Sequence, residues 1–83
     1  MVEFQFDVVG VGLNSVDLLC QVKHFPVFNT KGSLDDISRQ GGGQVATALA
    51  ALSRLEMKTA FIGVVGDDEN GVFSISSLKA DGV

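Results

Sequence analysis

The sequence predicts an α/β fold, a strand–helix–strand core with a small β-flap standing off it. Two β-forming runs, residues 4–12 and 58–65, flank a helix-forming run at 44–55 in which Val45, Ala48, Leu49, Leu52 and Leu55 recur at steps of three and four. Strand, helix and strand in that order pack as a parallel pair with a right-handed crossover. The intervening residues 16–40 are too polar to be core, so they are expected to leave the sheet.

At 83 residues the chain is at most one small domain. Hydrophobic residues at 46% and charged residues at 19% place it among globular chains rather than disordered ones. The net charge of −4, with no basic cluster, argues against a nucleic-acid surface. One cysteine and one histidine exclude both an internal disulfide and a Cys/His zinc site, and make a reducing, cytoplasmic setting the default. The N-terminus lacks the blocks of a signal peptide, and no apolar run reaches the length of a membrane span.

The first strand, 4–12, is set by Phe4, Phe6, Val8, Val9 and Val11 and closed by Gly10 and Gly12. Its apolarity on both faces near the end suits a buried parallel strand. Residues 16–23 alternate as Val16, Leu18, Cys20 and Val22, and are favoured as strand because no capping box opens a helix there. Phe25-Pro26-Val27-Phe28-Asn29 breaks that run, and 30–40 form a second exposed strand or hairpin arm. Gly41-Gly42-Gly43 reads as a bare turn opening onto the helix of 44–55, because consecutive glycines are costly in regular structure. After the strand at 58–65, Gly66-Asp67-Asp68-Glu69-Asn70-Gly71 is a turn whose carboxylates suit a helix start, and Val72, Ile75 and Leu78 space the last helix. The chain closes on a helix-ending glycine, Gly82, and one further apolar residue, which reads as the front piece of a longer α/β protein.

Several motifs can be weighed on their chemistry. Gly10-Val11-Gly12-Leu13-Asn14-Ser15 approaches a dinucleotide fingerprint, but Ser15 stands where the third glycine belongs. Gly41 to Thr47 lacks the lysine of a nucleoside-triphosphate loop. Asp67 to Gly71 resembles a calcium loop only in composition, and a solvated helix cap accounts for it. His24 has no visible chemistry, and no nucleophile–base pair stands out. Two features remain. The glycine stretch presents a helix N-terminus whose free N–H groups favour an acceptor-rich or anionic partner, or else it only lets the helix pack closely. Asp17, just past a strand's C-terminal end, could accept hydrogen bonds from a polyol, or else it faces solvent.

Val8-Val9-Gly10-Val11-Gly12, then Asp17, then Gly42 to Leu55, then Ile62-Gly63-Val64-Val65-Gly66-Asp67-Asp68-Glu69-Asn70-Gly71 resemble the N-terminal third of the ribokinase-like carbohydrate kinases, the phosphofructokinase-B group. The resemblance covers nearly the whole chain and keeps motif order and spacing. It implies an α/β sandwich whose β-flap, about 16–40 here, is a lid over the sugar and is often shared between subunits, so that a homodimer through the flap is expected. It also implies transfer of the γ-phosphate of ATP, with Mg2+, to a hydroxyl of a sugar or nucleoside. By position Asp17 matches the aspartate that binds substrate hydroxyls, and Gly42 and Gly43 match the diglycine lying against the sugar. Gln44 and Thr47 fall where relatives often carry asparagines that contact substrate. Gly63, Gly66, Asp68 and Gly71 match positions taken as structural.

Two departures stand out. Thr47 replaces an amide that both donates and accepts, which bears on substrate identity. Glu56 replaces the glycine that usually ends the motif helix, at a small expected cost in stability. The family's second signature, with its catalytic aspartate and anion hole, and the ATP-binding elements have no counterpart in residues 1–83, so this chain alone is expected to bind neither ATP nor Mg2+ and to be inactive. The rival readings are a dinucleotide-binding fragment of an oxidoreductase and a non-catalytic dimerising fragment.

Overall fold

The computed structural model describes residues 4–83, and its elements run β1 (Val8–Val11), β2 (Ser15–Gln21), β3 (Asp36–Gly42), α1 (Gln44–Arg54), β4 (Thr59–Ile62) and α2 (Glu69–Ala80). β1 and β4 pair in parallel, Val8 opposite Thr59 and Val11 opposite Ile62, with α1 in the crossover between them. β2 and β3 form a separate antiparallel hairpin, in register from Ser15 opposite Gly42 to Gln21 opposite Asp36. The predicted core and the predicted excursion are therefore distinct sheets.

α1 lies on the β1–β4 pair because β1 and the residue that follows it offer two positions without side chains. A Cβ at Gly10 would stand 2.7 Å from Leu49 Cδ1, and one at Gly12 would stand 2.5 Å from Val45 Cγ2. The closeness seats Ala46 and Leu49 in the interior, Leu49 at 2% exposure. Val9, Val11 and Ile62, on the opposite face of the same strands, stay exposed. α2 packs beneath the root of the hairpin, where a Cβ at Gly41 would come within 2.7 Å of Ser77 Oγ.

Several boundaries differ from the sequence reading. The first strand covers Val8–Val11 rather than 4–12, and the strand expected at 58–65 covers Thr59–Ile62, because each extends only as far as the other pairs with it. At the start of the pair Asp7 N and Val8 N both donate to the Lys58 carbonyl, at 2.7 and 3.2 Å, and the Asp7 carboxylate accepts from Lys58 N at 2.8 Å. Gly41 and Gly42 are strand, not turn: they pair with Val16 and Ser15, and neighbouring side chains occupy the space their missing Cβ atoms leave. Only Gly43 turns, with φ 95°. α2 begins at Glu69, ahead of Gly71, because Asp68 caps it by accepting from Gly71 N at 2.8 Å. Gly71 can sit in that first turn because it has no Cβ to meet the Gly66 carbonyl.

Both helices end in the same hydrogen-bond pattern. After α1, Glu56 N donates to the Ser53 carbonyl and Met57 N to that of Leu52; after α2, Gly82 N donates to Lys79 and Val83 N to Leu78. This is a Schellman ending, which needs a left-handed residue just past the cap. Gly82 fills that place at φ 95°, and Glu56 fills the other at φ 69°. The Arg54 guanidinium pairs with the Asp81 carboxylate, Nε to Oδ1 at 3.0 Å, and ties the two helix ends together. Among the described residues no helix is long and apolar enough to cross a membrane.

Candidate functional site

The candidate site is assembled where β1 ends, the hairpin starts and α1 begins. Gly43 is the N-cap of α1, and a Cβ there would lie 2.6 Å from Asn14 Cα and 2.7 Å from the Leu13 carbonyl oxygen. Only glycine permits both that approach and a φ of 95°. The Leu13 carbonyl in turn accepts from Ala46 N at 3.3 Å, in the first turn of α1. The connection from β1 to β2 is thus stitched onto the start of α1, with the positive end of the helix beside it.

Alternation along β2 puts Ser15 and Asp17 on one face of the hairpin. Ser15 Oγ donates to Asp17 Oδ1 at 2.8 Å. The other carboxylate oxygen of Asp17 lies against Gly42, in the space where a side chain at Gly42 would be. Asp17 and Gly42 are therefore on the same side of the hairpin, with Gly43 next in the chain. Asp17 is exposed, so its carboxylate is open to a ligand.

The other two predicted residues sit on α1, and of these Thr47 shares a hollow with Gly42. Gln44 is an exposed residue at the first position of α1. Thr47, one turn further on, lines a hollow of about 240 Å³ between α1, α2 and the end of β3, with Ala50, Arg54, Ser74 and Ser77 around it. Gly41 borders that hollow from the face of β3 that looks toward Ser77, opposite to the face carrying Asp17. A second hollow, of about 230 Å³, lies between the start of β2 and the loop into α2, where Asn14, Ser15, Gly66, Asp68 and Ser74 meet. Among the described residues no group of three His, Cys, Asp or Glu side chains is placed to hold a metal ion, and Asp68 is engaged in capping α2.

The sequence reading assigned neither Ser15 nor Ser74 to the site. Ser15 was legible as the residue two before Asp17 on the same strand, hence on its face. Ser74 was not, since its link is a hydrogen bond from Asn14 Nδ2 to Ser74 Oγ at 2.6 Å, between residues sixty apart.

The Gly10-Val11-Gly12 run also finds its role here. Its glycines receive α1, and the element after it is β2 rather than the helix that a dinucleotide site requires. The profile of the pfkB family carbohydrate kinases matches residues 5–83. The chain belongs to the pfkB family.

Relatives within the pfkB family agree with that assignment. An ATP-dependent ribose-1-phosphate kinase from Halopiger xanaduensis is 36% identical over 76 residues, 92% of this chain and 26% of the relative. A 5-dehydro-2-deoxygluconokinase from Geobacillus kaustophilus is 35% identical over 77 residues, 93% of this chain and 22% of the relative. The crystal structure of a candidate ribokinase from Agrobacterium tumefaciens superposes with a TM-score of 0.78 at 26% identity, over 89% of this chain and 24% of that one. The chain thus spans about a quarter of the length of the pfkB relatives it matches. The family match leaves neither the oxidoreductase fragment nor the non-catalytic fragment favoured.

Proposed function

We propose that this chain supplies the substrate-binding and lid portion of an ATP-dependent kinase that phosphorylates a hydroxyl of a sugar or nucleoside in the complete protein. The observation that carries the reading is the Asp17 carboxylate, held by Ser15 and lying over Gly42 beside the glycine-started helix. A carboxylate accepts hydroxyl hydrogen bonds strongly, and backbone without Cβ lets a sugar ring come close. In this reading Asp17 grips substrate hydroxyls, and Gly42 and Gly43 form the floor. Gln44 and Thr47, at the start of α1, are the further residues of this reading that meet the substrate, and Thr47 shares its hollow with Gly42. ATP, Mg2+ and the base that activates the attacking hydroxyl are supplied by other parts of the complete protein, and no step through the metal is assigned to the residues described here.

Residues 16–40 act as the lid. The face of the hairpin away from Asp17 carries exposed Leu18, Cys20 and Ile37, which suits the flap of a second copy. A cytoplasmic setting, where ATP is abundant and a free Cys20 stays reduced, belongs to the same reading.

The test is Asp17→Asn in the protein expressed from its complete reading frame, assayed with ATP and a panel of D-ribose, ribose 1-phosphate, 5-dehydro-2-deoxygluconate and adenosine. Charged-acceptor bonds contribute about 1.5–3 kcal/mol, so kcat/KM should fall roughly 10- to 150-fold. A variant as active as its parent would sink the assignment of Asp17.

A further inference from the structure

Near its root, the Asp17 face of the hairpin carries a side chain that the proposed site does not use, Gln40. In the β2–β3 register Asp17 stands directly opposite Gln40. Directly opposed residues project to the same face with Cβ atoms about 4.5–5.5 Å apart. Ser15 and Gly42 form the neighbouring pair on that face, so the row reads Ser15 with Gly42, then Asp17 with Gln40. Ser15 Oγ already holds Asp17 Oδ1. Gly42 contributes no side chain. Gln40 is exposed, and its amide can both donate and accept. Arg39, its neighbour, points to the other face, where its guanidinium sits 4.4 Å from the centroid of the Phe73 ring and donates to Asn70 Oδ1 at 3.0 Å. That anchorage on α2 fixes which way β3 presents Gln40.

We propose that Gln40 is a specificity-determining residue which, paired with Asp17 across the hairpin, binds the hydroxyl adjacent to the one Asp17 holds, so that the site selects a polyol with two neighbouring hydroxyls. Ser15 is a positioning residue in this arrangement: its hydroxyl occupies one carboxylate oxygen and leaves the other turned toward the Gly42 side. The inference rests on the kinase reading above.

The experiment uses the protein from its complete reading frame, with ATP and the sugar it phosphorylates best among D-ribose, ribose 1-phosphate, 5-dehydro-2-deoxygluconate and adenosine. That sugar is then compared with its single-deoxy analogues, in the parent and in Gln40→Ala and Gln40→Asn. Loss of one neutral hydrogen bond should raise KM about tenfold in Gln40→Ala while kcat changes less than about twofold. One deoxy analogue, lacking the hydroxyl that Gln40 reads, should be handled equally by parent and variant. A merely structural Gln40 would instead shift KM for every analogue alike, and that result overturns the inference. Gln40 is exposed, so unchanged melting of both variants is the expected control. Equal deoxy discrimination by parent and variants also overturns it, while leaving the kinase reading intact. A parent protein that phosphorylates none of the four probes overturns both.

Discussion

Glu56 occupies a backbone position that glycine fills at the end of the other helix. A side chain at φ 69° brings its Cβ near the following carbonyl, which costs about 1–2 kcal/mol. Glu56→Gly should therefore raise unfolding stability by about 1 kcal/mol, read as a higher denaturant midpoint at unchanged slope. The Gly82 ending of α2 is the internal control, because the same hydrogen bonds form there without the strained side chain. This site was legible through the family resemblance, which puts a helix-ending glycine where Glu56 stands. Asp68 was legible without it, as a carboxylate stands where a helix N-terminus needs an acceptor. Gln40 was harder to see. Its partner is defined by the hairpin register, which the residue type does not declare by itself.

The elements were readable where apolar periodicity was long and blurred where pairing decided the ends. α1 spans Gln44–Arg54, one residue short of the 44–55 that its three-and-four spacing predicted, because a run dominated by alanine and leucine leaves few alternatives. β1 and β4 are each cut to four residues, since a strand lasts only while its neighbour bonds to it. The consecutive glycines misled at Gly41 and Gly42. Their intrinsic cost in a strand is about 0.5–1 kcal/mol each, yet the space they leave admits Ser77 on one face and Asp17 on the other. Packing outweighed propensity there. The same logic governs β1: Gly10→Ala would place a methyl 2.7 Å from Leu49 Cδ1 and 2.8 Å from Val45 Cγ1. Forcing α1 outward in this way should cost about 1–3 kcal/mol, measured as a loss of unfolding free energy.

The molecule as a whole is elongated, with principal extents of 62 × 28 × 20 Å and a Cα radius of gyration of 16.5 Å. A compact body of this length would have a radius near 12 Å. The difference is the projecting hairpin, whose Phe25 and Phe28 are 91% and 95% exposed. A two-stranded hairpin is marginal in water unless its apolar face is covered, which is the physical argument for a second copy on the Leu18, Cys20 and Ile37 face. Sedimentation of the protein from its complete reading frame should therefore show a dimer, and Leu18→Asp should shift it to monomer. A parent that sediments as a monomer at assay concentrations would remove this account of the flap.

The anchorage of Arg39 on Phe73 and Asn70, with Gly41 pressed on Ser77, holds the hairpin near its root. A beam clamped at one end swings widely at the tip and hardly at all beside the clamp. Asp17, paired with Gln40, stands in the rung between those two anchors, so its carboxylate is held over Gly42 independently of the tip that carries Phe25 and Phe28. Changes in the length or sequence of residues 22–35 therefore retune what the tip meets and leave the grip at the hinge undisturbed.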